Sequence, residues 1–312
     1  MRKPAKTLRF PVPVIETDAG VPLPRSSILN RRTYLLAAPV IAILIWAVVY
    51  PNISVIAGSL ADGARAWKEF FASPADREAV VSTLIVSVGS VIAATLIGLP
   101  LAFLLARFEF RGRRTLSAIA TLPAALPPLV GVVAFMFLYG ESGIVTRIVQ
   151  RMLGLERAPW SLTGLWAIVF VHAYTMYVYV FLFVSAGLER IDTTLDEAAE
   201  GLGASRGVRL RRVTLPLLTP SIAGAMLLVF MSALGSFSAP YVFGGGIRVL
   251  STQIVASKLN GNLGLAYAET TVLALAAVAG LVVLRRFERR RSYAMSGKGR
   301  QTRTVVTSPS AR

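Results

Sequence analysis

Long uncharged apolar runs, separated by short charged stretches, set the pattern of this chain. Five of them are long enough to cross a bilayer core, which takes about 20 apolar residues: 34–57, 79–106, 116–140, 163–188 and one within 216–242. A sixth is shorter. Only 270–284 is uncharged, and at about 1.5 Å of rise per residue it needs 267–269 to span. That would put Glu269 at the outer membrane boundary or against protein. A spanning helix satisfies its own backbone groups within lipid. The pattern therefore predicts an all-α integral membrane protein with six transmembrane helices over residues 34–287. The flanks 1–33 and 288–312 are polar and basic and are expected to be disordered tails, with a helical end near Ser26 to Arg32. The first 33 residues lack the apolar segment of a cleaved signal peptide.

Two stretches between spans alternate at helical period. Leu60, Ala64, Trp67, Phe70 and Phe71 fall on one face of a helix, with Asp62, Arg65, Lys68 and Glu69 between them. Ile144, Val145, Ile148, Val149, Met152 and Leu153 oppose Arg147 and Arg151 in the same way. Both suit helices lying in the membrane interface, either packed over the bundle or offering a landing surface to an extracytoplasmic protein.

Within the spans, Gly89 with Ala93, Ala94 with Gly98, and Ala276 with Gly280 each sit four apart, a spacing that lets helix backbones approach closely. Pro123, Pro127 and Pro128 break the third span, which is tolerated only where protein or a water-filled cavity satisfies the freed groups. The fifth carries Ser232, Ser236 and Ser238 and ends in a run of three glycines, 244–246, expected to be an external gate or turn. Pro127, Ser232, Ser236 and Glu269 are the candidate translocation-path residues. His172 is the lone ionisable group deep in a span. With no intramembrane carboxylate for a relay or a metal, it is expected to be neutral and hydrogen-bonded to a neighbouring helix.

Charge changes the picture only through its placement. The net charge of +17 first suggests a nucleic-acid partner. Assigning the N-terminus to the cytoplasm, however, leaves only Arg65, Lys68, Arg77, Arg147, Arg151, Arg157, Arg248 and Lys258 outside, so 25 of the 33 Lys and Arg residues lie inside. Such a bias fixes N-in/C-in topology, and no nucleic acid is needed to explain it. The chain is 54% hydrophobic with mean hydropathy +0.63, too apolar for a soluble enzyme of 312 residues. With no cysteine it has no disulfide, thiolate-held zinc or iron–sulfur cluster.

The polar loop 189–218 lies between the fourth and fifth spans. Asp192, Thr193 and Thr194 are helix-start signals, and Thr194 with Glu197 predicts a capping box. Leu195, Ala198, Ala199 and Leu202 give a small apolar stripe, and Gly201 and Gly203 a stop. Glu197-Ala198-Ala199, then Gly203, then Val213-Thr214-Leu215-Pro216 follow the spacing of a known loop. It resembles the signature loop of the permease subunits of binding-protein-dependent ABC importers, of type I fold, with Val213 in place of the usual Ile. Ser82-Thr83-Leu84 and the segment 98–102 look like the same family's opening segment, where Asn often stands at the position of Ser82.

The resemblance implies a cytoplasmic coupling helix between the fourth and fifth spans, with Glu197, Ala198, Ala199 and Gly203 as the contacts that couple it to an ATPase and Leu215 and Pro216 setting the return into the fifth span. It implies that no catalytic or cofactor site lies in this chain, ATP and magnesium being held by a partner ATPase dimer. The fragment Ser296-Gly297-Lys298-Gly299 is no phosphate loop. The remaining implied partners are a second permease (the same or a sister chain), an extracytoplasmic solute-binding protein and the lipid bilayer of a bacterial inner membrane. The region 234–258 looks most similar to permeases for ferric iron, polyamines, thiamine and aminoethylphosphonate, with ferric iron favoured. A secondary carrier or channel would need intramembrane charges, and a membrane enzyme would need paired acids or a nucleophile; neither pattern is present.

Overall fold

In the computed structural model the described residues are 31–289, with the two-residue strand Thr304–Val305. The expectations for the tails, including the helical end near Ser26 to Arg32, fall almost wholly outside them. The chain divides into two compact units, 1–53 and 54–312. Among the described residues six helical stretches are long and apolar enough to cross a membrane.

The first unit holds helix α1 (Arg31–Leu44), a π-helical turn over Ile45–Val49, and the start of α2 (Tyr50–Leu60). Pro51 cannot donate to the carbonyl four residues back, and the wider turn immediately before it accommodates that lost bond. The same offset recurs later: a π turn over Leu210–Thr214 precedes Pro216.

In the second unit the amphipathic stretch after α2 forms α3 (Arg65–Ala72), whose Phe70 and Ala66 are buried. Ser73 then caps α4 (Pro74–Arg107) by accepting from the Asp76 amide at 3.2 Å. The expected third span is interrupted: α5 (Arg113–Ala125) stops at Leu126, and α6 (Pro128–Tyr139) begins anew after Pro127. Proline at 127 and 128 removes two consecutive amide donors, so no helix ladder can run through. A short amphipathic α7 (Ile144–Met152) follows, close to its predicted limits.

Helix α8 (Leu165–Leu188) is the central post, packed against α4, α5, α6 and α11 (Leu215–Leu234). Small residues make this possible. A Cβ on Gly98 would stand 2.5 Å from the Tyr177 carbonyl oxygen, and one on Gly280 would strike the ring of Phe230. Lipid is as apolar as leucine, so it is this close van der Waals fit that holds the helices together. The main core joins α4, α8 and α11 through Ala94, Ala102, Val180, Val184, Leu218 and Val229.

The fifth span ends at Leu234, inside the expected 216–242, and the chain then turns into the short α12 (Ser238–Phe243), so that Ser236 and Ser238, expected on the span, lie beyond its end. The glycines at 245 and 246 have φ of +58° and +92°, making a turn that leads to α13 (Leu250–Leu259). Thr83 ties α13 down by accepting from the Leu250 amide at 2.8 Å. The sixth spanning helix, α14 (Leu263–Arg289), starts before residue 267 and carries Glu269 in its second turn.

Candidate functional site

Two regions collect the residues singled out in the sequence. The first is the loop between α8 and α11. Helix α9 (Thr193–Gly201) begins two residues earlier than the Thr194–Glu197 box requires, because Asp192 is the cap: its Oδ1 accepts from the Thr194 amide at 3.0 Å. Aspartate outranks threonine at that position. The stop is a Schellman turn, with the Gly203 amide donating to Glu200 O at 2.8 Å and the Ala204 amide to Ala199 O at 3.0 Å. It requires a left-handed residue, and Gly203 supplies φ +79°.

The two faces of α9 have different fates. Asp196 lies 3.7 Å from Arg107 at the end of α4 and 3.8 Å from Arg209 in α10 (Arg206–Arg209). Glu200 also pairs with Arg209, and Arg107 reaches Thr214 at 3.4 Å. These groups pin the prong to the helix ends beneath it. On the other face Glu197 and Ala198 are exposed, Leu195 is 48% exposed and Leu202 89%. Nothing lies within 4 Å of a Cβ built on Gly201, Gly203 or Gly207. Among the described residues the apolar stripe is therefore uncovered at Leu195, Ala198 and Leu202, with Ala199 half-buried. Leu215 and Pro216 form the first turn of α11, next to the π turn.

The second region is a cavity of about 360 Å³ walled by the α5–α6 break, α8 and the α11–α12 turn. Pro127, Ser232 and Ser236 all line it, joined by Tyr174, Tyr179 and Phe237. No Asp, Glu, Lys or Arg side chain is among its lining residues. Ser236 is fixed on three sides: Ser251 Oγ donates to its carbonyl at 2.6 Å, its amide donates to Ala233 O at 3.2 Å, and its hydroxyl meets His172 Nε2 at 2.9 Å.

His172 is buried in α8 and its Nδ1 lies 2.8 Å from Ser90 Oγ on α4. It is hydrogen-bonded to neighbouring helices as expected. Its two serine partners, 82 and 64 residues away, carry no sequence signal that would have paired them with it.

Glu269 does not line this cavity. It is fully buried against protein, with Oε1 accepting from Ser257 Oγ at 2.8 Å and the Asp76 carboxyl alongside. Its chain position near the N-terminal end of α14 was legible; its packing against α13 and α4 was not. Among the described residues no group of three or more His, Cys, Asp or Glu side chains is arranged to hold a metal.

Known proteins resemble the chain in sequence and in fold. A probable ABC transporter permease of Sinorhizobium fredii is 31% identical over 241 residues, covering 74% of this chain and 42% of that protein, so the chain spans less than half of its length. A probable molybdenum ABC transporter permease of Haloferax volcanii is 31% identical over 225 residues, 69% of this chain and 80% of its own. Other relatives are named for ferric and for spermidine/putrescine transport. A bacterial alginate ABC transporter, crystallised with its pentasaccharide-bound periplasmic protein, shares the fold with TM-score 0.68 over 83% of this chain and 95% of its own, at 22% identity. Residues 98–293 match the family described as binding-protein-dependent transport system inner membrane component. The chain belongs to that family: it is an ABC transporter permease subunit of the inner membrane, not an enzyme.

Proposed function

We propose that this chain forms half of the membrane pore of an ATP-driven importer, with α9 as the prong on which the ATPase acts. The observation that carries this reading is the two-faced construction of α9. Asp196 and Glu200 fasten one side to Arg107 and Arg209, while Leu195, Ala198 and Leu202 stand uncovered on the other. A prong fixed to the end of α4 and to α10, which leads into α11, passes a push into α11, which helps to wall the cavity, and into α4, which packs against α8. Rocking of such helices about a central site is alternating access. Placing α9 in the cytoplasm agrees with the distribution of Lys and Arg, and with N-in/C-in topology. ATP and magnesium are bound by the ATPase dimer. A second permease chain completes the pore, and an extracytoplasmic binding protein delivers the solute.

For the solute, the cavity offers neutral oxygen groups and no charged side chain. A bare polyamine path would be expected to carry acidic groups. Oxygen ligands suit a hard cation held in a hydration shell or a complex. Ferric iron is therefore the first solute to test, before polyamine, thiamine or phosphonate.

Because the chain has no cysteine, Ala198→Cys gives a single reactive position. Cross-linking to the ATPase subunit is the expected result in the assembled importer. A reactive Ala198→Cys thiol that labels from the outer face, or that joins no second protein, overturns the assignment of α9. Ligand binding to the secreted partner then identifies the solute.

A further inference from the structure

The bridge Ser90–His172–Ser236 has a direction, and that direction sets what the cavity asks of a solute. Resting on the reading of this cavity as the solute path, we propose that Ser236 Oγ faces it as a hydrogen-bond acceptor, with its own proton committed to His172. A solute at this wall must then present a donor: an ammonium, a hydroxyl or a metal-bound water. A fully deprotonated tetrahedral oxyanion finds no donor at Ser236.

The argument starts at the buried end. Ser90 Oγ lies 2.6 Å from the Val86 carbonyl oxygen. Two oxygens that close repel unless a proton lies between them, so the Ser90 hydroxyl donates to Val86. It has no second proton for the imidazole. At 2.8 Å from Ser90 Oγ, His172 Nδ1 must therefore be the N–H donor. An imidazole with one N–H leaves its other nitrogen as an acceptor, and Nε2 is 2.9 Å from Ser236 Oγ. The Ser236 hydroxyl therefore points into the protein, and its remaining lone pairs face the cavity.

The anchored backbone of Ser236 prevents the side chain from simply turning away. Thr175, also in the lining, donates its hydroxyl to the Val171 carbonyl at 3.0 Å and so presents the same polarity. No lysine or arginine among the lining residues would offset this for an oxyanion.

His172 is the single histidine in the chain, so ¹⁵N-histidine labelling of the full chain in lipid nanodiscs reports on it alone. The expected spectrum has a protonated-type Nδ1 and an unprotonated-type Nε2. The opposite tautomer, or an imidazole protonated at both nitrogens, overturns the proposal whether or not transport is ever seen. Ser90→Ala removes the group that fixes the tautomer while touching nothing in the cavity, and it is expected to move population towards the Nε2–H form. Ser90→Thr keeps the hydroxyl and is expected to restore the original spectrum.

In the reconstituted importer, uptake of ferric citrate, spermidine, thiamine and molybdate is compared. For the solute carried, Ser90→Ala should raise KM about five-fold, the worth of roughly one neutral hydrogen bond, with kcat nearly unchanged. Molybdate as the preferred solute, or a Ser90→Ala KM equal to wild type, overturns the proposal and leaves the importer reading standing. Failure of α9 to engage an ATPase sinks that reading and leaves the tautomer result intact.

Discussion

Replacing Gly98 with alanine adds one methyl group where α4 and α8 are closest. That carbon would stand 2.5 Å from the Tyr177 carbonyl oxygen, 2.7 Å from Val180 Cβ and 3.0 Å from the Phe181 amide nitrogen. Two of these are backbone atoms and cannot swing aside, so the helices must part by roughly 0.5–1 Å. A gap of that size forfeits a quarter to a half of the dispersion contact of each atom pair along the seam, and overpacking of this kind costs about 1–3 kcal/mol. Alanine returns about 1 kcal/mol through its helix propensity. The expected net change is a loss of up to about 2 kcal/mol, or as much as a roughly 30-fold fall in the folding equilibrium constant. Equilibrium unfolding by SDS in mixed micelles, followed by helical circular dichroism, reads this directly. Gly207→Ala is the control: nothing lies within 4 Å and its φ is not positive, so it should be neutral or gain up to about 1 kcal/mol. If Gly98→Ala gained as much as the control, close approach would not be what holds α4 to α8.

Other substitutions test the prong and the buried site of Glu269. Glu197→Lys should leave membrane insertion intact while abolishing solute uptake and co-purification with the ATPase; uptake at the wild-type rate would remove Glu197 from the contact. Gly203→Ala forces a left-handed φ on a residue with a Cβ, costing about 1–2 kcal/mol of local stability, which hydrogen exchange at 193–204 should detect as faster opening. Asp196→Asn breaks the pairs to Arg107 and Arg209, each partly exposed and worth at most about 1 kcal/mol, and should loosen α9 without unfolding the bundle in the same exchange experiment. Glu269→Gln, which keeps the shape and a bond to Ser257, should accumulate in the membrane as wild type does. Glu269→Lys, which leaves an unmatched cation in a fully buried site, should not, as quantitative immunoblotting of membranes would show.

The loop 189–218 was largely legible because its signals are local. The Gly203 stop and the alternation of small apolar and acidic positions are set within a dozen residues, and backbone geometry enforces them. The cap was misplaced by two residues because Asp192, Thr193 and Thr194 are all competent, and only the fold chooses among them. The cavity was half legible: prolines and serines marked its walls, since helix breaks must open onto something polar. Its link to His172 was hidden, because imidazole geometry depends on which helices cross at that depth.

Six apolar runs, their basic flanks and the glycine spacing were written in the chain itself, because the bilayer imposes length, charge asymmetry and backbone satisfaction residue by residue. Which carboxylates pin α9 to Arg107 and Arg209, why Glu269 sits against Ser257 rather than in the cavity, and which serines hold His172 were decided by tertiary structure alone. Arg107 meets Asp196, and the serines meet His172, through packing between helices far apart in sequence; Arg209 and Ser257 reach their carboxylates from the neighbouring helix, at an angle that the fold rather than any local rule sets.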